Sequence, residues 1–181
     1  MITRTARGIR TADLHRATTK WLIAVVTFVA FVTLAACAST ANLVDHSFGF
    51  DTRKDDQDAI VLDYRYGDSE LPVRSPEWAV REGRTFAFQG VQGPMRKGDF
   101  LYVKWRDKAT GKVFEDTVDL RHRLPADITD HTIYFMCKGA QLYVYLISPA
   151  AVERSPDSPP EGPRMYRSRN TVMIYPDRPK H

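Results

Sequence analysis

The sequence predicts a mainly β protein: a single antiparallel β-sandwich or partly open barrel behind an N-terminal signal helix and a flexible tether. Three observations carry this. Apolar residues recur with period two in several short runs, the spacing of strands with one buried face. Proline and glycine punctuate the connections between those runs. After Cys37 no stretch of useful length repeats its apolar residues at the helical spacing of 3.6. Short strands joined by turn-forming residues pack as two sheets or close on themselves.

Residues 1–36 come first, and they are read as a leader. Arg4, Arg7, Arg10, Arg16 and Lys20 stand against one acid, Asp13, ahead of an apolar run from Trp21 to Leu34. A basic segment, an apolar segment and a small-residue exit make a secretory signal. The run is short for a membrane span of about 20 residues, and cations upstream keep that end inside. Leu34, Ala35, Ala36 and Cys37 resemble the lipobox of bacterial lipoproteins. The resemblance implies cleavage between Ala36 and Cys37 and a diacylglyceryl group on the Cys37 thiol. Alanine at position 38 implies passage to the outer membrane, with the protein facing the periplasm. Several acyl chains anchor firmly, whereas one is marginal at about 0.8 kcal/mol per buried CH2.

Removing the leader changes the electrostatic picture. The chain has 26 Lys and Arg against 22 Asp and Glu; the leader takes five and one of these, leaving 21 of each from Cys37 onward. The excess of base therefore belongs to the leader, and the rest has no general attraction for nucleic acid. With Cys37 lipidated, Cys137 has no internal disulfide partner. Set in an apolar run, it reads as a small buried hydrophobe rather than a reactive thiol.

Residues 37–58 are read as the lipidated N-terminus and tether, because the polar run 51–58 offers nothing to a core. Phe48 and Phe50 are expected to begin an edge strand or to dock on the domain, which spans 59–181. Asp55, Asp56 and Asp58 form a solvated turn, without the glycine and distal glutamate of an EF-hand loop. In 60–66, Ile60, Leu62, Tyr64 and Tyr66 alternate with Val61, Asp63 and Arg65. Residues 71–83 read as a loop with Trp78 and Val80 as core plugs, and 85–88 as a short strand stopped by Gly90, Gly93 and Pro94.

A hairpin follows, 100–106 and 112–120 about a turn containing Gly111. Leu101, Val103 and Trp105 should face the core. Asp116 shares a stripe with Phe114, Val118 and Leu120, so either it sits at an edge or the register is shifted by one. A second hairpin, 133–138 and 141–147, turns at Gly139 and Ala140 and is apolar on both faces. That pattern fits burial on both sides, in a sandwich or under a covering loop, better than an exposed platform. Residues 149–169 form a long proline-rich loop and 171–175 the final strand.

Little here suggests catalysis or a cofactor. Asp127, Asp130 and His131 are of metal-binding type but lie in a turn without an HxH, HExxH or CxxC companion. His131 and Cys137 share one strand face yet stand about 20 Å apart at strand rise, too far for a nucleophile and its base. No GxSxG, SxxK or phosphate loop occurs. A non-catalytic, metal-free binding protein is the expectation. Arg154, Arg164, Tyr166 and Arg167 in the proline-rich loop are its candidate partner contacts, since Arg and Tyr dominate interface hot spots. The segment 98–147, with Gly98, Asp99, Leu101, Val103, Lys104 and Trp105 and the later tyrosine-rich hairpin, resembles small immunity lipoproteins paired with phospholipase effectors of type VI secretion. The resemblance implies neutralisation of a periplasmic toxin. The alternative is an envelope-assembly lipoprotein that contacts cell-wall or outer-membrane partners.

Overall fold

The computed structural model describes residues 43–55, 57–152 and 162–177. The strands are β1 (Leu43–Asp51), β2 (Ala59–Tyr66), β3 (Phe88–Arg96), β4 (Phe100–Asp107), β5 (Val113–Asp119), β6 (Thr132–Lys138), β7 (Gln141–Ala151) and β8 (Arg169–Tyr175). A five-residue helix, α1 (Glu77–Arg81), and a 3-10 turn (Arg164–Tyr166) complete the described elements. The strands form two sheets, ordered β3-β1-β6-β7-β8 and β2-β4-β5. The expected two-sheet β architecture is therefore present. All pairings are antiparallel except β1 with β6.

β1 overturns the tether reading for its part of 37–58. It is an interior strand, flanked by β3 and β6, and it supplies the centre of the core. Phe48 lies parallel to Tyr66 at 5.0 Å, and Phe50 stacks on Phe135 at 4.5 Å. Tyr64 then meets Phe50 edge-on at 5.1 Å. Interlocked rings of this kind add to what area burial alone contributes.

The polar residues around β1 enter the interior because each has a dedicated partner. His46 Nδ1 lies 2.8 Å from the Val44 carbonyl and Nε2 lies 3.0 Å from the Tyr66 hydroxyl. The tautomer that satisfies both has Nδ1–H donating and Nε2 accepting from the phenol. Burial depresses the imidazole's pKa, against smaller opposing effects of the Val44 hydrogen bond and Asp45. Unfolded chains thus protonate first, and stability present at higher pH is lost as pH falls through about 6.5. One such proton limits the slope to about 1.4 kcal/mol per pH unit. Urea midpoints between pH 8 and 5 should show this decline in the native chain and a flatter profile in His46→Gln. Equal slopes in the two chains would contradict the assignment.

Gln57 is a second case. Its side-chain amide donates to the Asp51 carbonyl at 3.0 Å, and its Oε1 accepts the Cys137 amide at 3.0 Å. The register of β1 with β6 ends at Tyr134, so the Cys137 amide has no strand partner on that side. Gln57→Ala leaves the buried Cys137 amide unpaired, while the Asp51 carbonyl keeps the Lys54 amide at 3.3 Å, so the change should cost about 1–3 kcal/mol. A urea midpoint unchanged from wild type would contradict this.

β2 departs from simple alternation. A bulge between Val61 and Asp63 shifts the register, so Ala59 and Val61 share the inner face with Tyr64 and Tyr66. One extra residue moves every later side chain to the other face, which is why Ile60 and Leu62 do not accompany the tyrosines. The free edge of β2 is covered: Tyr66 donates to the Val73 carbonyl and Ser75 to the Tyr64 carbonyl, at 2.9 and 2.8 Å. Residues 71–83 are not wholly loop, since α1 forms within them, and the plugs are Val73 and Ala79. Trp78 is 54% exposed and Val80 38%.

β3 begins at Phe88 and runs through Gly90, Gly93 and Pro94. As the edge of its sheet it tolerates a residue without an amide proton. The first hairpin is as expected, with Leu101, Val103 and Trp105 buried. Of the two alternatives for Asp116, the edge position holds and the register is not shifted. Asp116 lies on the inner stripe of edge strand β5 and accepts a 2.7 Å hydrogen bond from Tyr175 of β8, joining the two sheets at their rim. In the second hairpin the inner face is buried and the outer face is covered in part, with Met136, Tyr143 and Tyr145 half-buried. Ile133, Phe135, Cys137, Leu142 and Val144 enter the core, while Tyr134 and Ile147 are buried on the other side. β7 continues past Pro149 with an irregular register, and β8 starts at Arg169, so both strands reach into the segment read as loop.

Candidate functional site

The expected contact residues fall in three situations. Ala36, Cys37 and Arg154 lie outside the described residues. Arg164 and Tyr166 belong to the 3-10 turn, and Arg167 caps it. Pro163, with φ fixed near its preferred value, opens this turn. Arg164 and Arg167 are exposed, whereas Tyr166 is half-buried.

The turn is held against the outer face of the five-stranded sheet. The Arg164 backbone amide donates to Asp55 Oδ1, and the Tyr166 ring meets Tyr134 edge-on at 5.4 Å. Tyr166 is thus partly a structural cover. Burial raises the Tyr134 phenol well above its ordinary pKa, with the charge of Asp55 adding to the effect. It stays protonated at neutral pH.

Between this turn and β3 the sheet carries a groove of about 380 Å³. Its floor is made of Gly49 and Gly90, directly paired across β1 and β3. A Cβ on Gly49 would come within 2.8 Å of the Gln89 carbonyl oxygen, so the floor stays bare. Phe88, 54% exposed, and Met165, 42% exposed, stand on the walls with Tyr166. Arg53 places its guanidinium 5.2 Å from the centre of the Phe88 ring. It also chelates the buried Asp51 carboxylate, at 2.8 and 2.9 Å, and holds that group's pKa below the usual range.

Sequence reasoning missed Phe88, Met165 and the paired glycines. The available signal was glycine inside runs that otherwise alternate, which marks close approach of another group. The turn at Asp127 is locally satisfied: Asp127 Oδ1 accepts from the Thr129 amide and hydroxyl at 2.8 and 2.7 Å, and His131 Nδ1 sits 2.8 Å from the Thr129 carbonyl. Among the described residues no three His, Cys, Asp or Glu side chains gather as a metal site. Cys137 is fully buried, and burial pushes its thiol far up.

Fold and groove define a two-sheet β protein with a shallow cleft of mixed polar and apolar lining on the outer face of its larger sheet. A scan against protein-family models and searches of curated proteins and solved structures match nothing to this chain.

Proposed function

We propose that the chain is a lipid-anchored envelope protein, moored through Cys37 with its body in the periplasm, that works as a non-catalytic protein-binding module. One observation carries the reading: two large apolar side chains, Phe88 and Met165, are exposed on the walls of one groove. Exposed apolar groups gathered in a cleft mark contact surfaces. Arg164 and Arg167, flanking Met165 and Tyr166, add positive charge on one side, while the charge of Arg53, beside Phe88, is offset by Asp51. The matching occupant is a partner segment with an apolar side chain for the cleft and acidic residues for the rim. Such a partner would be a periplasmic effector held inactive, as the resemblance to immunity lipoproteins suggests.

Only five residues separate Cys37 from Leu43. At about 3.5 Å per residue, the body would stay within about 20 Å of the lipid. The partner would therefore be met at the membrane surface.

Two experiments test this. Cys37→Ser should abolish acyl labelling and move the protein from the detergent phase to the aqueous one; unchanged partitioning would end the anchoring reading. From solubilised envelope, Phe88→Ala with Met165→Ala should lose a partner that wild type and Val113→Ala both retain. An identical partner set in all three would remove the groove from the reading. Recovery of cell-wall proteins in place of an effector would favour envelope assembly.

A further inference from the structure

We infer that the outer face of the three-stranded sheet binds an anionic saccharide, a sugar bearing a phosphate or carboxylate. This face carries a groove of about 650 Å³ between β2, β4, residues 74–75 and α1, within the roughly 300–1,000 Å³ of small-ligand sites. It lies on the opposite sheet from the Phe88 groove, and the inference does not rest on the proposal above.

Three arginines converge on it. Arg65 and Arg74 are directly opposed in an antiparallel bridge, and both point outward, since their neighbours Tyr64, Tyr66, Val73 and Ser75 are buried. Like charges directly opposite each other are unfavourable in a sheet; Asp68 compensates Arg65, and an anion in the groove would compensate Arg74. Arg65 is held in place by the Phe100 ring, 5.5 Å from its guanidinium, and by Asp68. Arg74 and Arg81 make no ion pair or side-chain hydrogen bond among the described residues. Guanidinium groups left with all their donors are suited to bidentate capture of phosphate or carboxylate.

The rest of the lining narrows the ligand. Phe100 and Tyr102 occupy successive outward positions of β4 and present two rings. Asp63 and Glu77 also line the groove and form no ion pair with these arginines. Two carboxylates repel a bare inorganic anion but accept the hydroxyls of a sugar. A neutral sugar would hydrogen-bond to both carboxylates and arginines but leave the arginine charges uncompensated. A sugar ring over the aromatic pair, its acidic group toward Arg74 and Arg81, uses the whole set.

The test is calorimetric titration of the full chain in non-ionic detergent with glucose 6-phosphate, glucuronate, glucose and inorganic phosphate. One or both of the charged sugars should bind more tightly than glucose and inorganic phosphate. Arg74→Gln with Arg81→Gln should weaken that binding roughly tenfold or more while leaving the thermal midpoint unchanged. Tyr102→Ala should weaken it as well, separating a sugar site from a simple charge patch. Absence of binding by both charged sugars overturns the inference, as does equal affinity for inorganic phosphate. So does binding that is indifferent to the arginine substitutions.

Discussion

A chain shortened to begin at residue 59 should stay unfolded, and Phe48→Ala in the full chain should cost about 3–5 kcal/mol. The basis is the position of β1. It is hydrogen-bonded on both sides, to β3 along its whole length and to β6 over Ser47–Thr132, Phe48–Ile133 and Gly49–Tyr134. Without it β3 has no partner in its sheet, and the inner faces of Tyr64, Tyr66 and Phe135 lose the rings that cover them. Phe48 alone touches three aromatic rings, at centroid distances of 5.0 to 6.1 Å. Its truncation leaves a cavity that neighbours held by two sheets cannot close, the circumstance in which large-to-small changes cost most. Far-ultraviolet circular dichroism of the shortened chain should lack a cooperative transition, and urea melts of Phe48→Ala should show the loss. A cooperative melt of the shortened chain near the wild-type midpoint would return β1 to the role of a tether.

That strand also shows where sequence reading stops. Both hairpins were legible, because alternation and turn glycines are local signals, and the inward set Leu101, Val103 and Trp105 followed directly. The role of β1 was not. Its apolar residues are few, and polar residues in and just after it are buried through partners far along the chain: His46 with Tyr66, and Gln57 with Cys137. Burial of a polar group depends on its partner, and nothing in a local pattern supplies that partner. The glycines and proline of β3 read as terminators because their tolerance depends on the strand being at an edge. The bulge in β2 likewise inverted a pattern that was periodic on paper.

The candidate groove divides in the same way. Arg164, Tyr166 and Arg167 are close in sequence and were legible as a cluster of contact-type residues. The opposing wall and floor come from Phe88, Gly90 and Gly49, which only strand pairing brings beside them. The turn therefore carries two roles at once: Tyr166 covers Tyr134, and Met165 faces solvent. A substitution at Tyr166 would disturb both cover and cleft, whereas Met165→Ala acts on the cleft alone. That makes Met165, not Tyr166, the informative site for testing the proposed partner binding.

Trp105→Ala should be as damaging as Phe48→Ala, at about 3–5 kcal/mol, and Trp105→Phe should cost about 1–2. Trp105 sits on β4, in the smaller sheet, 1% exposed. Its Nε1–H crosses to the other sheet and donates to the Gly139 carbonyl in the β6–β7 turn, at 2.9 Å. The indole thus contributes apolar burial between the sheets, packed 5.9 Å from Phe114, and a polar clasp at the rim. The two variants separate these contributions. Alanine removes both. Phenylalanine retains most of the burial, and the Gly139 carbonyl, in an exposed turn, regains a hydrogen bond from water, so only the net value of one hydrogen bond and some packing is lost. Denaturation followed by circular dichroism measures both costs without relying on the deleted fluorophore. Equal destabilisation by alanine and phenylalanine would mean that the hydrogen bond, and not burial, holds the sheets together at this end. A loss under 1 kcal/mol for alanine would mean that Trp105 does not join them at all.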